Sequence, residues 1–172
     1  MEIPELNLSK IGLLSKNEPL EVDYNKCGQS LRAALSSAGF LYIENHGIDQ
    51  NLIDKAMRVS KEFFILPREV KESLSSDPKL DISYIGPGDE VINQEVHEIK
   101  EAINLIKKPS NFKPNPNDES VEFVLTELAI DTKNLANRIL KCLAFALDLD
   151  DKDFFVKRHS CMESDQHISK LR

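Results

Sequence analysis

One run of apolar residues constrains this chain more than any other feature. Val121, Val124, Leu125, Leu128, Leu135, Ile139, Leu143 and Leu147 mostly recur at steps of three, four or seven. That spacing places them on one face of a helix and predicts a single amphipathic helix over about residues 117–148. At 3.6 residues per turn the stripe from Val121 to Leu147 spans roughly seven turns. So long an apolar stripe must be covered along its length, which calls for a helix-rich fold. Other segments supply the cover. Val22 to Ala38 carries Leu31, Ala34, Leu35 and Ala38 at helical spacing and stops at Gly39. Phe40-Leu41-Tyr42-Ile43 is a bulky, β-prone run that predicts a short buried strand. Asn45-His46-Gly47 is a turn. Asp49 can cap a helix whose apolar face is Ile53, Ala56, Met57, Ser60, Phe63 and Phe64, ending at Leu66 before a proline. Pro67 then opens a short helix through Leu74, and Asp150-Asp151 caps another through Phe154 and Phe155. Ser75 to about Glu90 and Lys107 to Asn117 read as loops, rich in Pro and Gly. The fold class is α+β, helix-rich with a few short strands.

The 172 residues suit one domain, and the net charge of −7 argues against a nucleic-acid partner. No apolar run reaches the length of a membrane span, and Met1-Glu2-Ile3-Pro4-Glu5 shows no secretion signal. Cys27, Cys142 and Cys161 form neither a disulfide framework nor a zinc pattern, which points to the reducing cytoplasm. Cys27 and Cys142 read as small core-side hydrophobes, and Phe63, Phe64, Phe123 and Phe145 as core.

Motifs that carry chemistry are scarce. Gly86-Pro87-Gly88 lacks the spacing of a phosphate loop, and Pro87 removes an amide that a phosphate cradle would use. His46 reads as a turn histidine bonded to nearby backbone, and His97, among Glu95, Glu98 and Glu101, as part of a solvated acidic face. His159, Cys161 and His167 allow a metal-binding tail, although a polar tail needs no metal to explain it. No His is followed two residues later by Asp or Glu. Arg-x-Ser occurs at Arg58-Val59-Ser60 and Arg158-His159-Ser160, against roughly 0.5 matches expected by chance, and both read as coincidence.

Ile3-Pro4-Glu5-Leu6-Asn7-Leu8, the GFLYIENHGI of 39–48 and the FFILPREVKESL of 63–74, taken in order, resemble segments of the isopenicillin N synthase-like 2-oxoglutarate/Fe(II) dioxygenases. Ile3-Pro4-Glu5-Leu6-Asn7-Leu8 is similar to that family's opening strand. Leu31 to Ile48, with GFLYIENHGI, resembles its "GFFY…NHGI" block. Ser60 to Leu74, SKEFFILPREVKESL, is similar to its "FF.LP.EEK" helix pair. Tyr84-Ile85-Gly86-Pro87-Gly88 with Ile99 to Asn104 resembles its "GY…KEAF" stretch. Asn111-Phe112-Lys113-Pro114 is close to "NxWP", with Lys113 in place of Trp, and Asp153-Phe154-Phe155 with Leu171-Arg172 fits "FF…LRL.YP".

The resemblance implies that residues 1–172 are a non-haem dioxygenase N-terminal-like region, normally packed on a jelly-roll barrel. It also implies an N-terminal part of an oxidoreductase that acts on a small molecule with Fe(II) and 2-oxoglutarate. In such enzymes a two-His, one-carboxylate triad holds iron, and Arg-x-Ser binds the 2-oxoglutarate carboxylate. The matching positions are missing here, so this chain is expected to hold neither group, with no catalytic, cofactor-binding or metal residue. Tyr84 is the one substrate-pocket candidate. His167 to Arg172 reads as the start of a strand that would continue into the barrel. The alternative is a non-catalytic, partner-binding or regulatory short form, self-associating through helix faces that the barrel would otherwise cover.

Overall fold

The computed structural model describes residues 2–15, 17–75, 82–89, 91–93, 96–97, 99–105, 115, 117–159 and 169–171. The elements are β1 (Glu5–Asn7), α1 (Glu21–Ser37), β2 (Tyr42–Glu44), α2 (Gln50–Phe64), α3 (Arg68–Ser75), β3 (Ile82–Ile85), β4 (Val91–Asn93), β5 (Val96–His97), β6 (Ala102–Leu105), α4 (Val121–Ala146), α5 (Phe154–His159) and β7 (Ser169–Leu171). They form two compact units. Unit one holds Met1–Asp49 and Ile130–Cys161, and unit two holds Gln50–Ala129 and Met162–Arg172. The expected α+β, helix-rich architecture is observed.

In unit one, β1 and β2 pair in parallel, with Leu6 opposite Ile43. The core gathers Leu6, Leu8, Ile11, Tyr24, Cys27, Leu31, Leu135 and Cys142. Both cysteines are buried as expected. Gly28 permits the contact of α1 with α4, because a Cβ there would stand 2.7 Å from the Cys142 carbonyl oxygen and 2.9 Å from the Ala146 nitrogen. Backbone atoms cannot yield to such a clash, so this position requires glycine. Arg138, from α4, donates to the carbonyls of Ile11 (2.9 Å), Gly12 and Ser15 (3.3 Å) and so fixes the loop after β1. The Asn45-His46-Gly47 turn is left-handed at Asn45 (φ 55°) and Gly47 (φ 82°). His46 Nδ1 accepts from the Ile48 amide at 3.0 Å, the local backbone role its position predicts.

Phe40 to Ile43 departs from expectation. The strand is present, shifted to Tyr42–Glu44, yet Phe40, Tyr42 and Ile43 are exposed rather than buried. Bulky residues favour extended backbone, but burial needs a covering layer, and β2 pairs only with β1 among the described residues.

In unit two, β3, β6 and β7 form an antiparallel sheet with β6 at its centre, and β4 pairs with β5. Strand β3 lies within a stretch that composition alone reads as loop. Its four residues escape detection because Asp77-Pro78 and Gly86-Pro87-Gly88 flank it closely. The core joins Leu52, Ala56, Val59 and Phe63 of α2 to Tyr84, Ile103, Leu105, Val124 and Leu125. The buried face of α2 is therefore rotated from the predicted one, with Leu52 and Val59 inside and Met57 70% exposed. Ala56, Ser60 and Phe63 belong to both faces.

Helix α4 begins later and ends earlier than the predicted 117–148. Asp118 Oδ1 accepts from the Ser120 amide at 2.9 Å, and Ser120 Oγ accepts from the Phe123 amide at 3.3 Å. Ser120 is thus the N-cap. At the other end Asp148 is left-handed (φ 52°), and the Leu149 amide closes onto the Ala144 carbonyl at 3.0 Å. The Arg32 guanidinium donates to the Ala146 carbonyl at 3.1 Å.

Candidate functional site

Tyr84 lies on β3 opposite Ile103 of β6, on the sheet face that meets α2. Its ring is buried against Phe63, edge to face, with centroids 6.0 Å apart. Its hydroxyl donates to Glu101 Oε1. The same oxygen accepts from Lys71 Nζ, which also donates to the Phe64 carbonyl at 3.0 Å. Lys71 Nζ stands 5.1 Å from the Tyr84 ring centroid, within cation–π range. Three segments far apart in sequence therefore converge: α3 with the lysine, β3 with the tyrosine, and the approach to β6 with the glutamate.

Pro67 starts α3, and its carbonyl accepts from Val70 (3.1 Å) and Lys71 (3.2 Å), so Lys71 sits one turn in with its side chain directed inward. A second set of bonds secures the end of β3. Asp89 Oδ2 accepts from the Gly86 amide at 2.7 Å, and Asp89 Oδ1 accepts from Arg68 at 3.1 Å. Arg68 Nε also donates to Glu72 at 2.6 Å. Helix α3 is tied to the β3 end by this exposed network as well as by the buried one.

Electrostatics follow from the shared oxygen. Hydrogen bonds from Lys71 and Tyr84 hold the Glu101 carboxyl below the usual carboxylate range. Burial alone would lower the Lys71 pKa, but its bonds to Glu101 and Tyr84 outweigh that and raise it. Burial, then the bond to the Glu101 carboxylate, raises the Tyr84 phenol. The arrangement is an ionised Lys–Glu pair with a neutral phenol as second donor. It can orient the tyrosine ring and the end of β3, and it holds a proton firmly on Tyr84.

Sequence reasoning does not single out Lys71 and places Glu101 on a solvated acidic face, whereas its carboxylate accepts from Lys71 and Tyr84. The available signal is Lys71 at helical spacing from Pro67 and Leu74, on the face that would otherwise be apolar. Ser60 Oγ and Asn104 Oδ1 are buried in this unit without a hydrogen-bond partner among the described residues.

The described residues offer no donor set that fits the iron implied by the resemblance. Among the described residues no three His, Cys, Asp or Glu side chains converge as a metal-binding group. The chain also lacks any His-x-Asp or His-x-Glu. His159 ends α5, with Nδ1 2.8 Å from the Phe155 carbonyl, whereas Cys161 and His167 lie outside the described residues. The side chain of His97 and the Asn111-Phe112-Lys113-Pro114 segment also lie outside them. No described helix is long and apolar enough to cross a membrane.

Residues 3–124 match the family described as non-haem dioxygenase in morphine synthesis N-terminal. The chain is 25% identical over 174 residues to a 1-aminocyclopropane-1-carboxylate oxidase of Dictyostelium mucoroides, covering 91% of this chain and 47% of that one. It is 27% identical over 157 residues to a leucoanthocyanidin dioxygenase of Malus domestica, covering 87% of this chain and 42% of that one. In fold it is similar to a full-length Neurospora crassa protein solved in complex with alpha-KG. The TM-score is 0.66 at 23% identity, covering 98% of this chain and 53% of that one. The chain thus spans about half the length of the curated relatives it matches.

Proposed function

The chain belongs to the non-haem dioxygenase N-terminal family, and from that premise we propose that it is the N-terminal part of a 2-oxoglutarate- and Fe(II)-dependent oxidoreductase acting on a small molecule. Residues 1–172 together constitute this region, and by themselves they do not carry out the oxidation. The observation that carries the reading is the family match over residues 3–124 in a chain that spans about half of its relatives. Iron and 2-oxoglutarate belong to a full-length form, which would supply the triad and an Arg-x-Ser that follows it, unlike the two at Arg58 and Arg158. Its partner is a small-molecule substrate rather than nucleic acid, and its place is the cytoplasm.

Within that form Tyr84 borders the substrate pocket as an oriented ring. Its hydroxyl is engaged by Glu101, so it contributes shape rather than a proton. Sequencing the transcript beyond the Arg172 codon tests the reading. A downstream His-x-Asp, a later His and an Arg-x-Ser are expected. An in-frame stop that excludes them would overturn it for the full-length form.

A second reading rests on the exposed apolar residues Met57, Ile65, Leu66 and Val70 of unit two. In water such residues favour contact with a partner or a second copy. In this reading the chain is a non-catalytic binding form that self-associates. Sedimentation velocity across a concentration series would then show a rising mean mass, whereas a monomer throughout would count against it.

A further inference from the structure

Cys27 and Cys142 meet inside unit one. Both are free thiols within its buried core. The contact at Gly28 is close enough that a Cβ would strike the Cys142 carbonyl at 2.7 Å, so the turn of α1 that carries Cys27 lies directly on the turn of α4 that carries Cys142. Both side chains belong to one buried cluster, so the two thiols are neighbours in the same core. Their surroundings are unequal, since Cys142 is fully enclosed and Cys27, at 9% exposure, sits on the margin of the core.

The neighbouring Cys27 thiol, then burial, pushes Cys142 up. Cys27, the thiol nearer to solvent, is the one an incoming disulfide reaches first, and the enclosed Cys142 is placed to act second.

We propose that Cys27 and Cys142 form a reversible disulfide that staples α1 to α4 when the chain meets a thiol–disulfide oxidant such as glutathione disulfide. The Cys27 thiolate attacks one sulfur of glutathione disulfide, whose S–S bond breaks. One glutathione leaves and takes up a proton, and the other stays on Cys27 as a mixed disulfide. Cys142 then gives up its proton and displaces the second glutathione from Cys27. Two protein thiols are oxidised, glutathione disulfide is reduced to two thiols, and the protons balance. Excess reduced glutathione runs the sequence backwards. The bridge closes a long loop and so restricts the unfolded chain.

The folded 172-residue chain, equilibrated in mixtures of reduced and oxidised glutathione, tests this. After acid quench and alkylation in denaturant, the oxidised chain should have lost two of its three alkylatable thiols. Peptide mapping should join the Cys27 peptide to the Cys142 peptide. The thermal midpoint should rise on oxidation and return with dithiothreitol. Cys27→Ser and Cys142→Ser should each abolish the cross-link, and Cys161→Ser, with an unchanged circular dichroism spectrum, should retain it. Three alkylatable thiols under strongly oxidising glutathione would overturn the proposal. So would glutathione held on Cys27 without a cross-link, or a bridge that uses Cys161.

Discussion

The two units contain the same triad in different surroundings. In unit two, Tyr84 and Lys71 both donate to Glu101 Oε1, with the ammonium over the tyrosine ring. In unit one, Tyr24 donates to Glu18 Oε1 at 2.9 Å, Lys141 donates to the same oxygen at 3.2 Å, and the ammonium lies 5.0 Å from the Tyr24 ring centroid. The residue types and bonding pattern are alike, but the exposure is not. The Lys71 and Glu101 side chains are 5% and 28% exposed, against 26% and 66% for Lys141 and Glu18. Water and salt screen the pair in unit one, so its contribution is small. In unit two the ammonium has left water and depends on its acceptors, so removing either partner strands the other. One motif thus carries an exposed, screened ion pair in one unit and a largely buried one in the other.

Substitution of the two lysines should separate the triads most widely. Lys71→Met leaves Glu101 with one donor and removes the bond to the Phe64 carbonyl, and should cost about 2–3 kcal/mol in urea unfolding. Lys141→Met should cost about 0–1 kcal/mol, as exposed pairs do. Equal losses would erase the distinction.

The tyrosines come next. Both phenols are buried, but the Glu101 acceptor is far less exposed than Glu18, so Tyr84→Phe should cost about 1.5–2 kcal/mol against about 0.5–1 kcal/mol for Tyr24→Phe. The smaller value keeps its ring stacked on Phe145, 5.9 Å between centroids.

Acid provides a third contrast. Hydrogen bonds from Lys71 and Tyr84 lower Glu101. Burial works against the same shift at Glu18, where bonds to Tyr24 and Lys141 still prevail. A carboxyl whose folded pKa is depressed contributes stability that is present above its unfolded pKa and is lost as pH falls through the folded value. Both units should therefore weaken on acidification below the usual carboxylate range. Glu101→Gln should flatten the acid limb of a stability–pH curve more than Glu18→Gln, and added salt should weaken only the Glu18 contribution.

The smallest expected effect concerns Ser60, whose buried hydroxyl has no partner among the described residues. Ser60→Ala should be neutral or stabilising by up to about 1 kcal/mol, because it removes an unmet polar group from the core. A loss well above that in thermal unfolding would show that the hydroxyl has a role in the fold.

Much of the fold is legible in the sequence. Period 3.6 locates α1, α2 and α4, Pro67 locates α3, and Asn45-His46-Gly47 locates the turn, because each signal is local. What escapes depends on tertiary context. Burial of Tyr42 requires a covering layer that no local pattern encodes. Met57 and Val59 both fit an apolar helix face, and only the position of the sheet decides which turns inward. The Lys71–Glu101–Tyr84 cluster joins residues 13 and 17 apart in sequence along a chain path that no spacing rule describes, and Tyr84 alone is visible beforehand. Arg138 is equally hidden, since its acceptors are backbone carbonyls of the loop after β1.

The most direct test of the central claim is turnover by the purified 172-residue chain with Fe(II), ascorbate and 2-oxoglutarate, with succinate as the readout. The account predicts no succinate above a protein-free control, with or without small-molecule substrates, because the proposed reading assigns the iron and 2-oxoglutarate ligands to a longer form. Sustained succinate formation that scales with chain concentration would contradict it.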